Sequence, residues 1–253
     1  MANAWYRSHQ FKCYLDDYIG QQILNGSGWD NELESILDRL VKTGHPGWHA
    51  IEIGANIGAS LVPLTSKYKD LTFHCVEPVP EFYALLEANV ASFGATNVRL
   101  YNCAVADADG VAVELFTQVG TAGALPQYDT RIPVGRCRVH AKTVDSLFRG
   151  LDVGFLKIDV DGFEYSVLRG AANLLREQQP PCFIEFCPEL MRRTGRAPSE
   201  VAEFFRSSGY ESITIYHNGT QLKMTRSFAE LLEAAENVYY VDVLFESDRS
   251  LQS

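Results

Sequence analysis

From His49 onward the chain alternates short apolar runs with stretches in which apolar residues recur every three or four positions. The runs His49–Ile53, Leu71–Val76, Val98–Val105, Phe155–Val160, Cys182–Cys187, Ser212–Tyr216 and Val238–Phe245 predict seven strands. Helices are expected through Leu61, Leu64 and Tyr68, through Phe82, Leu85, Leu86 and Val90, through Val167, Leu168, Ala171, Leu174 and Leu175, and near Ser199–Ser207. Strands separated by helices imply right-handed crossovers. The fold expected is therefore α/β and Rossmann-like: a mostly parallel sheet with helices on both faces.

Two segments depart from that rhythm. The first 48 residues read as an N-terminal helical extension, with Asp30 as N-cap before Leu33, Ile36, Leu37, Leu40 and Val41, and with Gly44 and Pro46 as the stop. Tyr14, Tyr18, Ile23 and Leu24 predict a shorter helix upstream; these segments would form a lid or cover one edge of the sheet. Between Asp107 and Asp145 no helical period is found. Val111–Phe116 and Cys137–Val144 instead predict an inserted β-hairpin around a Gly-, Pro- and polar-rich loop, the kind of long connection that often carries function. With no repeat and no low-complexity linker, residues 49–253 are expected to form a single domain.

Composition narrows the class. The chain has 253 residues, 46% apolar and 21% charged, as in soluble globular proteins. A net charge of −10 repels phosphate backbones and anionic bilayers, so neither a nucleic-acid face nor membrane insertion is expected. The six cysteines contain no CxxC pair and no secretory leader precedes them, which points to a reduced, cytoplasmic protein with cysteines used for packing. No His–Cys–carboxylate spacing suggests zinc.

The most informative stretch is Ile51-Glu52-Ile53-Gly54-Ala55-Asn56-Ile57-Gly58. Glycines directly after a strand let the backbone turn sharply and approach a ligand, and a following helix would aim its N-terminus there. A dinucleotide site needs G-x-G-x-x-G/A, and Asn56 replaces its middle glycine. An acid two residues before the first glycine is foreign to that pattern and suits a ligand carrying a cation. Glu77 ends the next strand, where a carboxylate can accept both hydroxyls of a ribose. Together these features favour a nucleoside-type cofactor.

Gly54-Ala55-Asn56-Ile57-Gly58 after one strand, Val76-Glu77-Pro78 after the next, and the run from Lys157 to Ala171 (KIDVDGFEYSVLRGA) resemble the FkbM family of S-adenosylmethionine-dependent methyltransferases. The resemblance spans about Gly47 to Glu189; Glu52 stands where the family usually has Asp, and Asp161 where it usually has Glu. It implies a class I methyltransferase fold of seven strands, the last inserted antiparallel. It also implies that Gly54, Ala55, Asn56 and Gly58 line the methionine end of S-adenosylmethionine, that Glu52 orients its ammonium group, that Glu77 binds the ribose, and that Asn102 to Val105, including Ala104, lie near adenine.

Alternation puts Lys157 and Asp159 on one strand face, where a buried lysine needs a partner; one or both of Glu52 and Glu185 are expected to pair with it. Asp159 or Asp161 is expected to take the proton of an acceptor hydroxyl, with His140 on the inserted hairpin as the alternative base. Asp161 and Glu164 also fit a capping box. A divalent ion would choose Asp159, Asp161 and Glu185, but capping and ion pairs account for the same acids, so a metal is not favoured. The D/N-P-P-Y/F signature of nucleic-acid amino methylases is absent at Asp159-Val160-Asp161-Gly162. The resemblance favours a hydroxylated sugar, glycolipid or polyketide-like acceptor; the inserted segment, with Gly120–Gly123, Tyr128, Asp129 and Arg131, either shapes the acceptor pocket or is a solvated loop. A nicotinamide-dependent oxidoreductase and a non-catalytic cofactor-binding protein are the rival readings. The N-terminal helices would also offer a face for a homodimer.

Overall fold

The computed structural model describes residues 1–15, 17–26, 29–44, 47–118, 121–123 and 135–248. An N-terminal hairpin of β1 (Ala2–Tyr6) and β2 (His9–Cys13) leads to α1 (Tyr18–Leu24) and α2 (Glu32–Thr43). The chain then runs through β3 (His49–Ile53), β4 (Thr72–Val76), α3 (Pro80–Ser92), β5 (Val98–Tyr101) and β6 (Ala104–Val105). The inserted segment holds β7 (Ala112–Gln118), β8 (Thr121–Gly123) and β9 (Gly135–Lys142), and α4 (Val144–Leu147) follows it. The second half comprises β10 (Val153–Ile158), α5 (Glu164–Gly170), α6 (Ala172–Glu177), β11 (Cys182–Phe186), α7 (Pro188–Arg193) and α8 (Pro198–Ser207). It closes with β12 (Ser212–His217), β13 (Thr220–Thr225), α9 (Phe228–Glu236) and β14 (Val241–Glu246).

The central sheet has the order β13-β12-β14-β11-β10-β3-β4-β5. Strands β5, β4, β3, β10 and β11 are parallel, and β14 lies antiparallel between β11 and β12. Consecutive strands step outward from β3 on one side and from β10 on the other, so the crevice beyond their C-terminal ends is where a ligand binds in sheets of this kind. One face of the sheet packs Ile51, Ile53, Leu156 and Ile158 under Val167 and Leu168 of α5. The other packs Ala50, Phe155, Phe183 and Leu244 under Leu33, Ile36, Leu37 and Leu40 of α2.

Four expectations need correction. Among the described residues the sheet has eight strands, not seven: β13 folds back from β12 through Asn218 and Gly219, whose φ values of 48° and 73° suit a two-residue hairpin turn. Its residues are almost all exposed, so no alternation of apolar positions announces it. The N-terminal extension is not all helical, because Ala4, Tyr6, Phe11 and Cys13 are buried with a period of two on β1 and β2. No α-helix follows β3; positive φ at Gly54 (87°), Asn56 (49°) and Gly58 (85°) holds the chain in turns, and only a 3₁₀ turn, Val62–Leu64, forms. The anion-attracting helix terminus expected there is therefore missing. Finally, Asp30 does not cap α2: its φ is 44°, and Asn31 takes the N-cap position with no side-chain bond to the helix's own first turn.

The inserted hairpin forms as expected, with β7 and β9 antiparallel from Ala112 opposite His140 to Thr117 opposite Gly135. It joins β6 and β8 in a separate four-stranded sheet. Gly120, Tyr128, Asp129 and Arg131, assigned to the acceptor pocket, lie outside the described residues, as does Pro46.

Candidate functional site

A cleft of about 640 Å³ opens at the C-terminal ends of β3, β4 and β10, within the range of roughly 300–1,000 Å³ usual for small-molecule sites. Gly54, Ala55 and Asn56 line it beyond β3, Glu77 and Pro78 beyond β4, and Asp159 and Asp161 beyond β10. Val113, Leu115 and Ala122 of the small sheet, with Phe82 and Phe163, form an apolar wall. Tyr18 and Trp29 of the N-terminal segment also line the cleft, so that segment contributes directly to the site.

Gly54 is required by close packing. A Cβ at this position, where φ is 87°, would collide with the backbone carbonyl oxygen of Asp159. The N–H groups of Gly54 and Ala55 both donate to the Val76 carbonyl at 3.0 Å. The next N–H, of Asn56, donates to Glu77 Oε2 at 2.9 Å, while Val79 N–H donates to Oε1 at 2.7 Å. Glu77 thus ties the turn after β3 to the loop after β4. Burial pushes its carboxyl up to about 7, against the pull of those two backbone donors. Each carboxylate oxygen has a second acceptor direction, so capacity remains for two ligand hydroxyls. Gly58 packs against Leu86 and Val62 and does not line the cleft. Asn102 donates from Nδ2 to the carbonyls of Glu77 (2.8 Å) and Pro78 (3.2 Å), which makes it a brace for the loop, whereas Ala104 and Cys103 face the cleft.

Beneath the cleft, Lys157 Nζ lies 3.0 Å from Asp159 Oδ2, 3.3 Å from Asp30 Oδ2 and 3.4 Å from Glu52 Oε1. Burial alone would lower this lysine, but Asp159, Asp30 and Glu52 outweigh it and hold it well above its usual value. Of the two partners expected, Glu52 is found and Glu185 is not; Asp30 and Asp159 complete the group. Asp30 is held in turn by Ser60, whose hydroxyl donates at 2.7 Å. Glu52 is fully buried, pushed up to about 7 by burial despite Lys157, and does not line the cleft. Any influence on a ligand's ammonium group passes through Lys157 and Asp159.

The capping box does not form. Helix α5 starts at Glu164 behind Phe163, which makes no side-chain cap bond, and Asp161 takes φ of 50°. Glu164 Oε1 accepts from Gly162 N–H at 3.0 Å, and burial pushes this carboxyl up to about 7. His140 sits on the exposed face of β9 with Nδ1 3.4 Å from the Gly110 carbonyl and does not line the cleft, whereas Asp159 and Asp161 do. Asp159, Asp161 and Glu185 all line the cleft, but among the described residues no three His, Cys, Asp or Glu side chains converge on a metal position.

The sequence reading missed part of the lining: Asp17, Asp30 and Glu32 from the N-terminal segment, and Tyr239, Tyr240 and Asp242 around β14. Among the described residues no Lys, Arg or His lines the cleft. The clue available in the sequence was Asp242 inside the apolar run of the last strand, where a charge has no structural reason to stand.

A family model for the methyltransferase FkbM domain matches residues 52–212. No curated protein sequence matches the chain. Among solved structures, an FkbM methyltransferase from Methylobacillus flagellatus KT superposes with a TM-score of 0.50 at 14% identity, over 91% of this chain and 55% of that one. The chain thus spans about half the length of that relative, and the likeness shows a shared fold. A precorrin-6y C5,15-methyltransferase from Geobacter metallireducens GS-15 is similar at 12% identity and TM-score 0.48, over 93% of each chain. A SAM-dependent methyltransferase from Aquifex aeolicus is similar at 13% identity and TM-score 0.43, over 84% of this chain and 87% of that one.

Proposed function

The chain belongs to the FkbM family of S-adenosylmethionine-dependent methyltransferases, and on that premise we propose that it methylates a hydroxyl of a sugar, glycolipid or polyketide-like small molecule. One observation carries the reading: the Gly54–Asn56 turn, Glu77 and Asp159 line a single cleft. The donor set there fits the cofactor. Glu77 offers carboxylate oxygens to a vicinal diol, the wall of Phe82, Val113 and Leu115 suits a flat heteroaromatic ring, and the acids around Asp159 suit a cationic sulfonium and ammonium.

When bound, the cofactor supplies a methyl group already activated on a sulfonium. The protein's task is to align the acceptor oxygen with it and to receive the proton. Alignment is worth up to roughly 7–11 kcal/mol and a general base about 10²–10⁴-fold, so alignment is the larger effect. Asp159, held by Lys157 at 3.0 Å, is the assigned proton acceptor: it would take the proton of the acceptor hydroxyl as the methyl passes from sulfur to oxygen, the carbon–sulfur bond breaking to leave a neutral thioether. Asp161, two residues on and also lining the cleft, would orient the hydroxyl. The six free cysteines support a reducing, cytoplasmic setting.

The test is calorimetry with S-adenosylmethionine, S-adenosylhomocysteine and NAD, followed by isotope-labelled methyl transfer into a panel of hydroxylated metabolites. Binding of the first two ligands and label in a methyl ether are expected. Binding of NAD alone would favour the oxidoreductase, and cofactor binding without transfer to any acceptor would favour a non-catalytic role.

A further inference from the structure

We infer that the methyl acceptor carries a protonated amine, seated between Glu32, Glu185 and Asp242. This rests on the methyltransferase reading and adds the charge of its substrate.

Glu185 and Asp242 stand directly opposite one another across the antiparallel pair of β11 and β14. Such residues share a face with Cβ atoms about 4.5–5.5 Å apart, and like charges there repel. Glu32, the first residue of α2, lines the same part of the cleft. It is only 5% exposed, and its Oε2 has no hydrogen-bond partner among the described residues. Gly219, in the turn after β12, passes so close that a Cβ there would lie 3.3 Å from that oxygen. A buried carboxylate oxygen without a donor is uncommon in a native fold and asks for an explanation. Burial raises all three carboxyls; Asp30 adds to this at Glu32, Asp159, Asp161 and Asp242 at Glu185, and Asp30, Glu32 and Asp159 at Asp242, while Lys157 pulls Glu32 and Asp242 back only in part. Lys157, the buried cation nearby, is already within ion-pair distance of Asp30, Glu52 and Asp159.

Position separates this group from the cofactor. Strands β11 and β14 lie two and three places from β3, about 10 and 14 Å from the glycine turn at roughly 4.8 Å per strand, and on the opposite side from β4 and Glu77. A primary ammonium has three N–H donors to offer to three carboxylates. Tyr239 and Tyr240, next to Asp242 in sequence, also line the cleft, and aromatic rings attract cations.

The full chain, saturated with S-adenosylhomocysteine, is titrated with matched pairs: glucosamine against N-acetylglucosamine, and 2-aminocyclohexanol against cyclohexane-1,2-diol. The amine of each pair is expected to bind about 10-fold tighter or more, the gain of one charge-assisted contact. In Glu32→Gln and Asp242→Asn that preference should fall to near unity. Binding of S-adenosylhomocysteine should be unchanged and the melting temperature equal or higher, since a buried acid has been removed. A merely structural role would lower the melting temperature instead. Equal affinity for amine and neutral partner overturns the inference, and so does loss of S-adenosylhomocysteine binding in the variants, which would assign these acids to the cofactor. Failure of the wild-type chain to bind S-adenosylhomocysteine overturns the methyltransferase reading, and this inference with it.

Discussion

Lys157 and Glu52 are register partners on the parallel strands β10 and β3, 3.4 Å apart, with side chains 3% and 0% exposed. This is the floor of the cleft. The same ammonium holds Asp159, the assigned proton acceptor, and Asp30, from the N-terminal segment. One buried cation therefore links the core of the sheet to both the chemistry and the wall of the site.

Removing that cation should be costly. Lys157→Met leaves Glu52 buried without an opposite charge and is expected to destabilise the fold by about 3–5 kcal/mol, measured by urea unfolding. Adding Glu52→Met should restore much of the loss, because the orphaned charge goes with it. A single variant as stable as wild type would show that the group contributes little.

Stability should fall as pH rises from about 4.3 to about 7. Burial raises Glu164 to about 7 in the folded chain, against about 4.3 when unfolded. Between those values the folded state keeps a proton that the unfolded state releases. The stabilisation is thus full below about pH 4.3 and is lost as pH approaches 7. Glu52 and Glu77, also raised to about 7, act in the same direction. Glu164→Gln should flatten the dependence by up to about 1.4 kcal/mol per pH unit, read from urea midpoints at pH 5, 6 and 7. An unaltered slope would mean that Glu164 does not titrate in this window.

Asp159→Asn keeps the shape of the side chain but removes its charge and its capacity as a base. Methyl transfer should fall by about 10²–10⁴-fold in kcat, while calorimetry shows S-adenosylhomocysteine still bound. Undiminished turnover would remove Asp159 from the mechanism and shift attention to Asp161.

Gly54→Ala tests the turn itself. The added Cβ meets the Asp159 backbone at a positive φ, so the turn must move, at a cost on the order of 1–3 kcal/mol. Because Asn56 N–H and Glu77 are tied to that turn, cofactor affinity should fall together with the urea midpoint. Wild-type affinity in this variant would show that the cleft does not depend on the turn.

Much of this protein is legible from short stretches of chain. The buried strands announce themselves as apolar runs because both faces of a covered parallel sheet exclude polar residues. The turn after Ile53 is marked by Gly54, and Glu77 marks the end of the adjacent strand. These are local demands, met by residues adjacent in sequence. Strand β13 and the N-terminal hairpin were missed for different local reasons: the first buries no face, and the second alternates over only five residues on each strand.

What the sequence could not disclose is which acids meet. Asp30 looks like a helix cap, Glu32 like an ordinary first-turn residue, and Asp242 like a blemish in an apolar strand. Only when α2 lies across the sheet, with β14 inserted between β11 and β12, do they gather at one cleft around a single lysine. Charge interactions depend on distance through space and on burial, which the order of residues along the chain does not record. The glycine turn and Glu77 were therefore determined by sequence, and the gathering of Asp30, Glu32, Glu185 and Asp242 at the same cleft by the tertiary structure alone.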